Sequence, residues 1–138
     1  MKKHSDTACI NALIELRKLL TSDRNRKIHF ALSPNDEKKT LSGGMVKDKH
    51  LCSNGKNIPL IDIFNYIGTI ELGYQMIKQN LIDMETFYNQ FGYRIENMFD
   101  ENGNMHSLIK KHIDENASYY NDLIMMRNEI DTWKKQSL

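Results

Sequence analysis

The absence of proline from the second part of the chain is the feature that most constrains its fold. Both prolines, Pro34 and Pro59, precede residue 60, and residues 60–138 contain none. Proline interrupts helices because it lacks an amide hydrogen and its ring clashes with the preceding turn. The stretch after Pro59 can therefore form long helices, and its apolar residues recur at the three- and four-residue spacing of a helical face.

This periodicity predicts several helices. The first begins near Pro59, which a first helical turn tolerates, and ends at Asn80. Asp83 caps the second, which ends in a turn at residues 100–104. Residues 105–113 continue the helical period, and a last helix runs from about Tyr119 to Lys135. The predicted buried faces are Leu60, Ile63, Phe64, Ile67, Ile70, Tyr74 and Ile77, then Phe87, Phe91, Ile95, Met98 and Phe99, then Leu123, Met126, Ile130 and Trp133.

Two glycines lie within the first of these helices. Gly68 and Gly73 each cost about 1 kcal/mol relative to alanine in a helix interior. The alternative is that they allow close approach of a neighbouring helix.

Two shorter helices are predicted at the N-terminal end. Ser5 or Asp6 can cap the first, and Thr21-Ser22-Asp23 ends it and caps the second. The second helix covers about residues 24–32 and stops before Pro34. The helical spacing of the first selects Ile10, Leu13, Ile14, Arg17 and Leu20.

Residues 33–57 are predicted to form one long basic loop. They contain the turn pairs Gly43-Gly44 and Asn54-Gly55. A short hairpin is an alternative, because Met45-Val46 and His50–Cys52 flank polar residues. The predicted fold class is all-α, an antiparallel helical bundle of about five to six helices. We expect a single domain over 1–138, with its core mainly in 58–135 and its N-terminal helices in 5–32.

Charge is distributed unevenly around a net value of +1. Residues 17–56 hold ten Lys or Arg against four Asp or Glu, which suggests an acidic partner or a solvated flank. Weak nucleic-acid binding through this basic segment is one hypothesis, although nucleic-acid-binding domains usually have a pI above about 9, against about 7.8 here. The candidate binding residues are Arg24, Arg26, Lys27, Lys38, Lys39, Lys47 and Lys49.

Arg24 and His29 have the form Arg-x4-His, with Asn25 after the arginine. This resembles the catalytic motif of the HEPN ribonucleases, small all-α domains that cleave RNA without metal. The resemblance implies that His29 exchanges a proton with the ribose hydroxyl or the leaving oxygen, while Arg24 stabilises the phosphate. The alternative interpretation is a solvated basic helix face.

No cofactor or metal is expected. Among the cysteines and histidines only His50 and Cys52 have the close spacing of zinc ligands. The turn at 100–104 lacks the glycine and the glutamate of a calcium loop at the required positions. Two cysteines without a CxxC pair suggest a cytoplasmic protein with reduced thiols. No apolar run is long enough to cross a membrane.

Five segments also resemble, in order, a family of small uncharacterised bacterial and phage-associated α-helical domains, a domain of unknown function. The resemblance covers about residues 12–133, and it implies a turn at 80–83 and a close-packing point at 91–93. It implies no catalytic residues. The segments are Leu20–Lys27, Ile63–Gly68, Asn80–Glu85, Phe91–Ile95 and Tyr119–Leu123.

These observations favour a non-enzymatic interaction or regulatory module of a bacterial or phage system. The expected partner is another protein, a homodimer is possible, and no membrane contact is expected. The alternatives are the ribonuclease that uses Arg24 and His29, and nucleic-acid binding through 17–56.

Overall fold

The structure, a computed structural model, describes residues 6–33, 45–53, 55–100, 102–103 and 121–136. These residues are mostly helical, as predicted, and they include a small three-stranded sheet. The elements are α1 (Asp6–Leu20), α2 (Asp23–Leu32), β1 (Met45–Lys47), β2 (His50–Ser53), β3 (Lys56–Pro59), α3 (Leu60–Lys78), α4 (Met84–Met98) and α5 (Asn121–Gln136).

The predicted helix starts at residues 22 and 83 are confirmed by their side-chain caps. The hydroxyl of Ser22 accepts a hydrogen bond from the amide of Asn25, and the carboxylate of Asp83 accepts one from the amide of Thr86. Each cap satisfies an amide that has no partner within the first turn of the helix.

The predicted end of α3 at Asn80 is confirmed by its backbone geometry. Asn80 has a φ of 62°, a left-handed conformation that asparagine tolerates better than most residues. The amide of Asn80 donates to the carbonyl of Ile77, and that of Leu81 to the carbonyl of Met76. Both carbonyls would otherwise lack partners, so this pair of bonds stops the helix at a fixed point.

Helix α3 is the central element. It contacts each of the other four described helices and β3, which explains why its apolar stripe is the longest in the sequence. Gly73 lies where α1 and α4 approach it, and a Cβ there would sit 2.5 Å from Cε1 of Phe87 and 3.2 Å from Cδ2 of Leu16. Gly68 faces open space. Of these two glycines, only Gly73 therefore allows the close approach of neighbouring helices.

The predicted apolar face of α1 is wrong in part. The structure buries Leu16 and Leu20, whereas Ile10 and Ile14 are exposed. Arg17 turns toward α4 instead, where it contacts the side chain of Gln90. The packing of α1 against α3 selects a face rotated from the one that spacing alone suggested.

The predicted loop over 33–57 is also wrong for residues 45–53 and 55–57, which belong to an antiparallel meander in the order β1-β2-β3. The hairpin that the sequence offered as the alternative is confirmed by the pairing of β1 with β2. Met45 pairs with Cys52, and Leu51 pairs with both Val46 and Ile58. The fold is therefore mostly helical rather than all-α. The tight β1–β2 turn forms because Asp48 and Lys49 both adopt positive φ, as two-residue hairpins require.

The prediction for Pro59 is also wrong. Pro59 ends β3 and caps α3 rather than lying inside the helix. The amide of Leu60 donates to the carbonyl of Lys49 at 2.9 Å, which ties the start of α3 to the β1–β2 turn. Leu51 and Ile58 join the same buried cluster as the helices. The predictions for Ser5 and for residues 105–118 lie outside the described residues.

Candidate functional site

The predicted basic residues of α2 lie on its solvent side. Arg24, Arg26 and Lys27 are exposed. Arg24 is 4.0 Å from a carboxylate oxygen of Asp62 in α3, and its side chain is mostly in solvent. Such an exposed pair contributes little stability, so Arg24 remains available to a partner.

Two further predicted residues, Lys47 and Lys49, are exposed on the β1–β2 hairpin. Since the carbonyl of Lys49 holds the first amide of α3, this hairpin lies at the same end of α3 as Asp62. The structure thus places Lys49 and Arg24 near one end of one helix. Lys38 and Lys39 lie outside the described part of the chain.

His29 lies on a different side of α2 from Arg24. Five residues turn a helix by about 140° beyond one full turn. His29 is 8% exposed, and its ring packs edge-on against Tyr93 of α4, with centroids 5.3 Å apart. The neighbouring ring of Phe30 is also 5.3 Å away. Within the described contacts Arg24 and His29 do not meet, and their catalytic role stays a prediction.

Beneath Tyr93 lies a buried arginine that sequence reasoning missed. Arg94 is 3% exposed, and its Nη1 donates a hydrogen bond to the hydroxyl of Tyr66 at 3.2 Å. Its guanidinium carbon is 5.4 Å from the centroid of the Tyr93 ring. Its Nε has no hydrogen-bond partner. Among the described residues, no carboxylate forms an ion pair with it.

A signal for Arg94 exists in the sequence. It stands three residues after Phe91 and four before Met98, on the face of α4 that is otherwise apolar. A charged residue at such a position is buried unless the helix rotates, and Phe87, Phe91 and Ile95 fix the rotation.

Burial and the arginine charge both act on the titration of this cluster. Burial and, secondarily, the charge of Arg94 lower the pKa of His29 to about 4, so its ring is neutral at pH 7. Burial raises the pKa of Tyr66 despite the opposing effect of Arg94. The cluster at neutral pH therefore contains one cation, a neutral imidazole and a protonated phenol.

Two aromatic rings of this region face solvent. Phe30 is 64% exposed and Tyr93 is 50% exposed. Phe30 shares one side of α2 with Arg26 and Lys27, because residues three and four apart are neighbours on a helix surface. We call Arg26, Lys27, Phe30 and Tyr93 the α2–α4 surface. It combines positive charge with exposed aromatic area, a composition suited to binding.

Asn25, the residue that follows Arg24 in the predicted ribonuclease motif, has a structural contact. It is buried, and the Nδ2 of its side chain donates to the carbonyl of Leu19 at 2.7 Å. This bond joins the end of α1 to the start of α2. Its position after Arg24 is therefore explained by the corner between the two helices.

The described residues contain no group of three or more His, Cys, Asp or Glu that could hold a metal ion. The Nδ1 of His50 is 2.8 Å from the carbonyl oxygen of Asp48. The thiol of Cys52, on the same strand, lies 3.6 Å from the side-chain oxygen of Asn57. Both side chains thus have partners within the hairpin.

A shallow groove of about 400 Å³ lies between α3, α4 and α5. It combines Trp133 and Met84 with the polar side chains of α5. Its lining residues are Ile77, Met84, Asn128, Glu129, Thr132, Trp133 and Gln136.

Within the described ranges, every helix is too short or too polar to cross a membrane. No family model matches the chain, and neither the curated proteins nor the solved structures contain a match. The resemblances to the uncharacterised helical family and to the HEPN ribonucleases stay predictions.

Proposed function

We propose that this chain is a non-enzymatic interaction module that binds an acidic protein partner through the α2–α4 surface. The observation that carries the proposal is Phe30, an aromatic side chain that is 64% exposed, next to two basic residues on α2. Phe30 and Tyr93 both contact the ring of His29. Exposed aromatic side chains, with arginine, dominate the binding energy of many protein interfaces.

The charge of the surface indicates the partner. Arg26 and Lys27 lie beside Phe30, and they form none of the ion pairs found among the described residues. Complementary charge accelerates association and excludes wrong partners. An acidic surface with an apolar pocket for Phe30 therefore fits this face.

The finer predictions belong to the same proposal. An antiparallel bundle is supported by the short connection between α3 and α4 and by the contacts of α3 with the other helices. A homodimer is an outcome of the test below, because a second copy would offer the acidic residues of α5, Glu129 and Asp131, which are exposed. A role in a bacterial or phage system rests on the sequence resemblance, and a cytoplasmic location rests on the two cysteines without a CxxC pair.

Site-specific photo-cross-linking tests the proposal. A photoreactive phenylalanine analogue replaces Phe30 in the chain expressed in its natural source, and the control carries it at Met125, which is 41% exposed on α5. We expect one discrete adduct from position 30, identified by mass spectrometry. The purified partner should lose affinity for Phe30→Ala and for Lys27→Glu. Equal adducts from both positions would contradict a specific surface, and an adduct with the same chain would identify a homodimer.

Nucleic-acid binding predicts a different result from the same surface. Phosphate contacts make affinity fall steeply as the salt concentration rises, whereas base stacking on Phe30 or Tyr93 does not. Titration of a single-stranded RNA at two salt concentrations, with Arg26→Gln beside the wild type, distinguishes phosphate contacts from base stacking. Salt-sensitive binding that Arg26→Gln weakens would favour nucleic acid over the protein partner.

The ribonuclease hypothesis rests on the Arg-x4-His spacing of Arg24 and His29. Burial lowers the pKa of His29 to about 4, which makes its neutral imidazole a weak base at pH 7 and counts against this hypothesis. Incubation of total RNA with wild type and with His29→Ala tests it directly. Cleavage that is lost in His29→Ala and in Arg24→Ala would support it, and equal or absent cleavage would exclude it.

A further inference from the structure

Among the described residues, no carboxylate compensates the charge of the buried Arg94 guanidinium. A guanidinium has five N–H donors and no acceptor. Within the described ranges, Arg94 makes one side-chain hydrogen bond, to Tyr66, and its Nε has no partner. The nearest carboxylate in sequence, Glu96, pairs with Lys134 of α5.

Burial of an unpaired charge costs several kcal/mol even after the surrounding protein relaxes. The aromatic ring of Tyr93 offsets part of that cost, since a cation over an aromatic face gains about 0.5–2 kcal/mol. Apolar residues occupy the neighbouring positions of this helix face, so methionine or leucine would fill position 94 without that cost. A bound anion that compensates the charge would explain why an arginine occupies this position.

We propose that Arg94 and the hydroxyl of Tyr66 form an oxyanion-binding site, whose ligand is a phosphate or carboxylate group that enters past the ring of Tyr93. The inference deepens the proposed function, on which it rests only for the source of the anion. In a protein complex that source is an acidic or phosphorylated side chain of the partner, and in the free protein it is a small anion.

The hydrogen bonds left open in the cluster match an oxyanion. The Nε of Arg94 points to no acceptor, and Tyr66 accepts from Arg94 while its own proton remains to be donated. Burial keeps Tyr66 protonated at neutral pH. Two donors of this kind, one of them charged, suit an oxyanion better than any neutral group.

An anion can reach the site from solvent without crossing the core. The ring of Tyr93 covers the guanidinium and is itself half exposed, so a rotation of this side chain opens a route from solvent. His29 borders the same route through its edge-on contact with Tyr93. Because His29 is neutral at pH 7, it neither repels nor pairs with the arriving anion.

Titration with inorganic phosphate, followed by NMR, tests the inference without any partner. Sodium phosphate replaces sodium chloride at constant ionic strength, and a parallel titration uses sodium acetate. We expect saturable shifts of the Arg94 Nε–H and His29 ring signals. The pKa of His29 should rise when phosphate is bound, because the anion offsets the charge of Arg94.

Arg94→Met is the central variant. Removal of an unpaired buried charge by an apolar residue of similar volume is often neutral or stabilising, so this variant should fold. It should lose the saturable response, and Tyr66→Phe should raise the Kd for phosphate about tenfold. Arg127→Met is the matched control, since Arg127 stacks on Phe99 at 4.5 Å but is exposed, and it should respond like the wild type.

A response to phosphate alone supports a phosphoryl ligand, and a response to both anions supports a carboxylate. No saturable response in the wild type, or an equal response in Arg94→Met, would overturn the inference. The two proposals fail separately. Cross-linking at Phe30 can be absent while phosphate binds, and a partner can be captured by a protein that ignores phosphate.

Discussion

At the scale of single residues, the α2–α4 region shows how one buried charge organises its neighbours. Arg94 lies between the phenol of Tyr66 and the ring of Tyr93, and its charge together with burial keeps His29 neutral. A solvated basic helix face, with His29 at the surface or at the boundary of the core, was the alternative that the sequence offered. The structure places His29 at the boundary of the core, where its protonation is coupled to folding.

The protonation of His29 should make the protein less stable in acid. The pKa of His29 is about 4 in the folded state, lowered from 6.5. Its neutral form is the one that the fold accommodates, so its contribution is complete above pH 6.5 and is lost as the pH falls toward 4. We expect the free energy of unfolding to fall by roughly 1–2 kcal/mol between pH 7 and pH 5, a value reduced for the part of the ring that solvent reaches.

Urea unfolding at the two pH values measures this effect, with His29→Gln as the control. The variant retains a polar side chain of similar length but cannot take up a proton. Its stability should change less between pH 7 and pH 5 than that of the wild type. An identical pH dependence in both proteins would show that carboxylates, not His29, dominate.

The backbone of Lys49 is a second residue-scale feature with a measurable cost. Its φ of 62° is unfavourable for a residue with a Cβ. Lys49→Gly gives the Asp-Gly pair that two-residue hairpins prefer, and it should raise the free energy of unfolding by about 0.5–1 kcal/mol. Lys47→Gly, within β1, should lower it, and thermal unfolding of the two variants tests both signs.

At the scale of elements, α3 was the most predictable helix and α1 the least. The apolar stripe of α3 is long because four helices and a strand pack on it, so spacing alone identified most of its buried face, although not Tyr66. In α1, apolar residues occupy more than one face, and Ile10 and Ile14 satisfy the helical spacing as well as Leu16 and Leu20 do. The partner helix decides between two such faces.

The two glycines of α3 should respond oppositely to alanine. At Gly73 the added Cβ meets the fully buried ring of Phe87 at 2.5 Å, so Gly73→Ala should lower the free energy of unfolding by about 1–3 kcal/mol. At Gly68 the Cβ meets nothing, and Gly68→Ala should raise it by about 0.5–1 kcal/mol. Denaturant unfolding of both variants measures the difference. Stabilisation by Gly73→Ala would contradict the close packing of α3 on α4.

At the scale of the whole molecule, the small sheet belongs to the same core as the helices. Leu51 is fully buried and Ile58 nearly so, both within the cluster that includes Ile63 and Leu16. The sheet is also tied to α3 by the backbone bond from Leu60 to Lys49. The polar contacts of α5, from the amide of Leu123 to the carboxylate of Glu71 and from Lys134 to Glu96, hold that helix on α3 and α4.

Truncation of Leu51 should therefore destabilise the entire fold. Leu51→Ala leaves a cavity in the shared core and should cost about 2–4 kcal/mol, with coincident loss of helical circular dichroism. Val46→Ala removes a partly exposed side chain from the edge strand and should cost less than about 1 kcal/mol. A loss of the sheet that leaves helical unfolding unchanged would contradict a shared core.

The sequence by itself determined the described helices after Pro59, the caps of α2 at Ser22 and of α4 at Asp83, and the stop of α3 at Asn80. Each depends on interactions within a few residues, so the local spacing and the side-chain types are enough to predict it. The tertiary structure decided between the loop and the hairpin at β1 and β2, added β3, and set the buried face of α1 and the environment of Arg94. These depend on contacts between residues that are distant in the chain. Whether a charge is buried or a short strand is paired is decided by the element that packs against it.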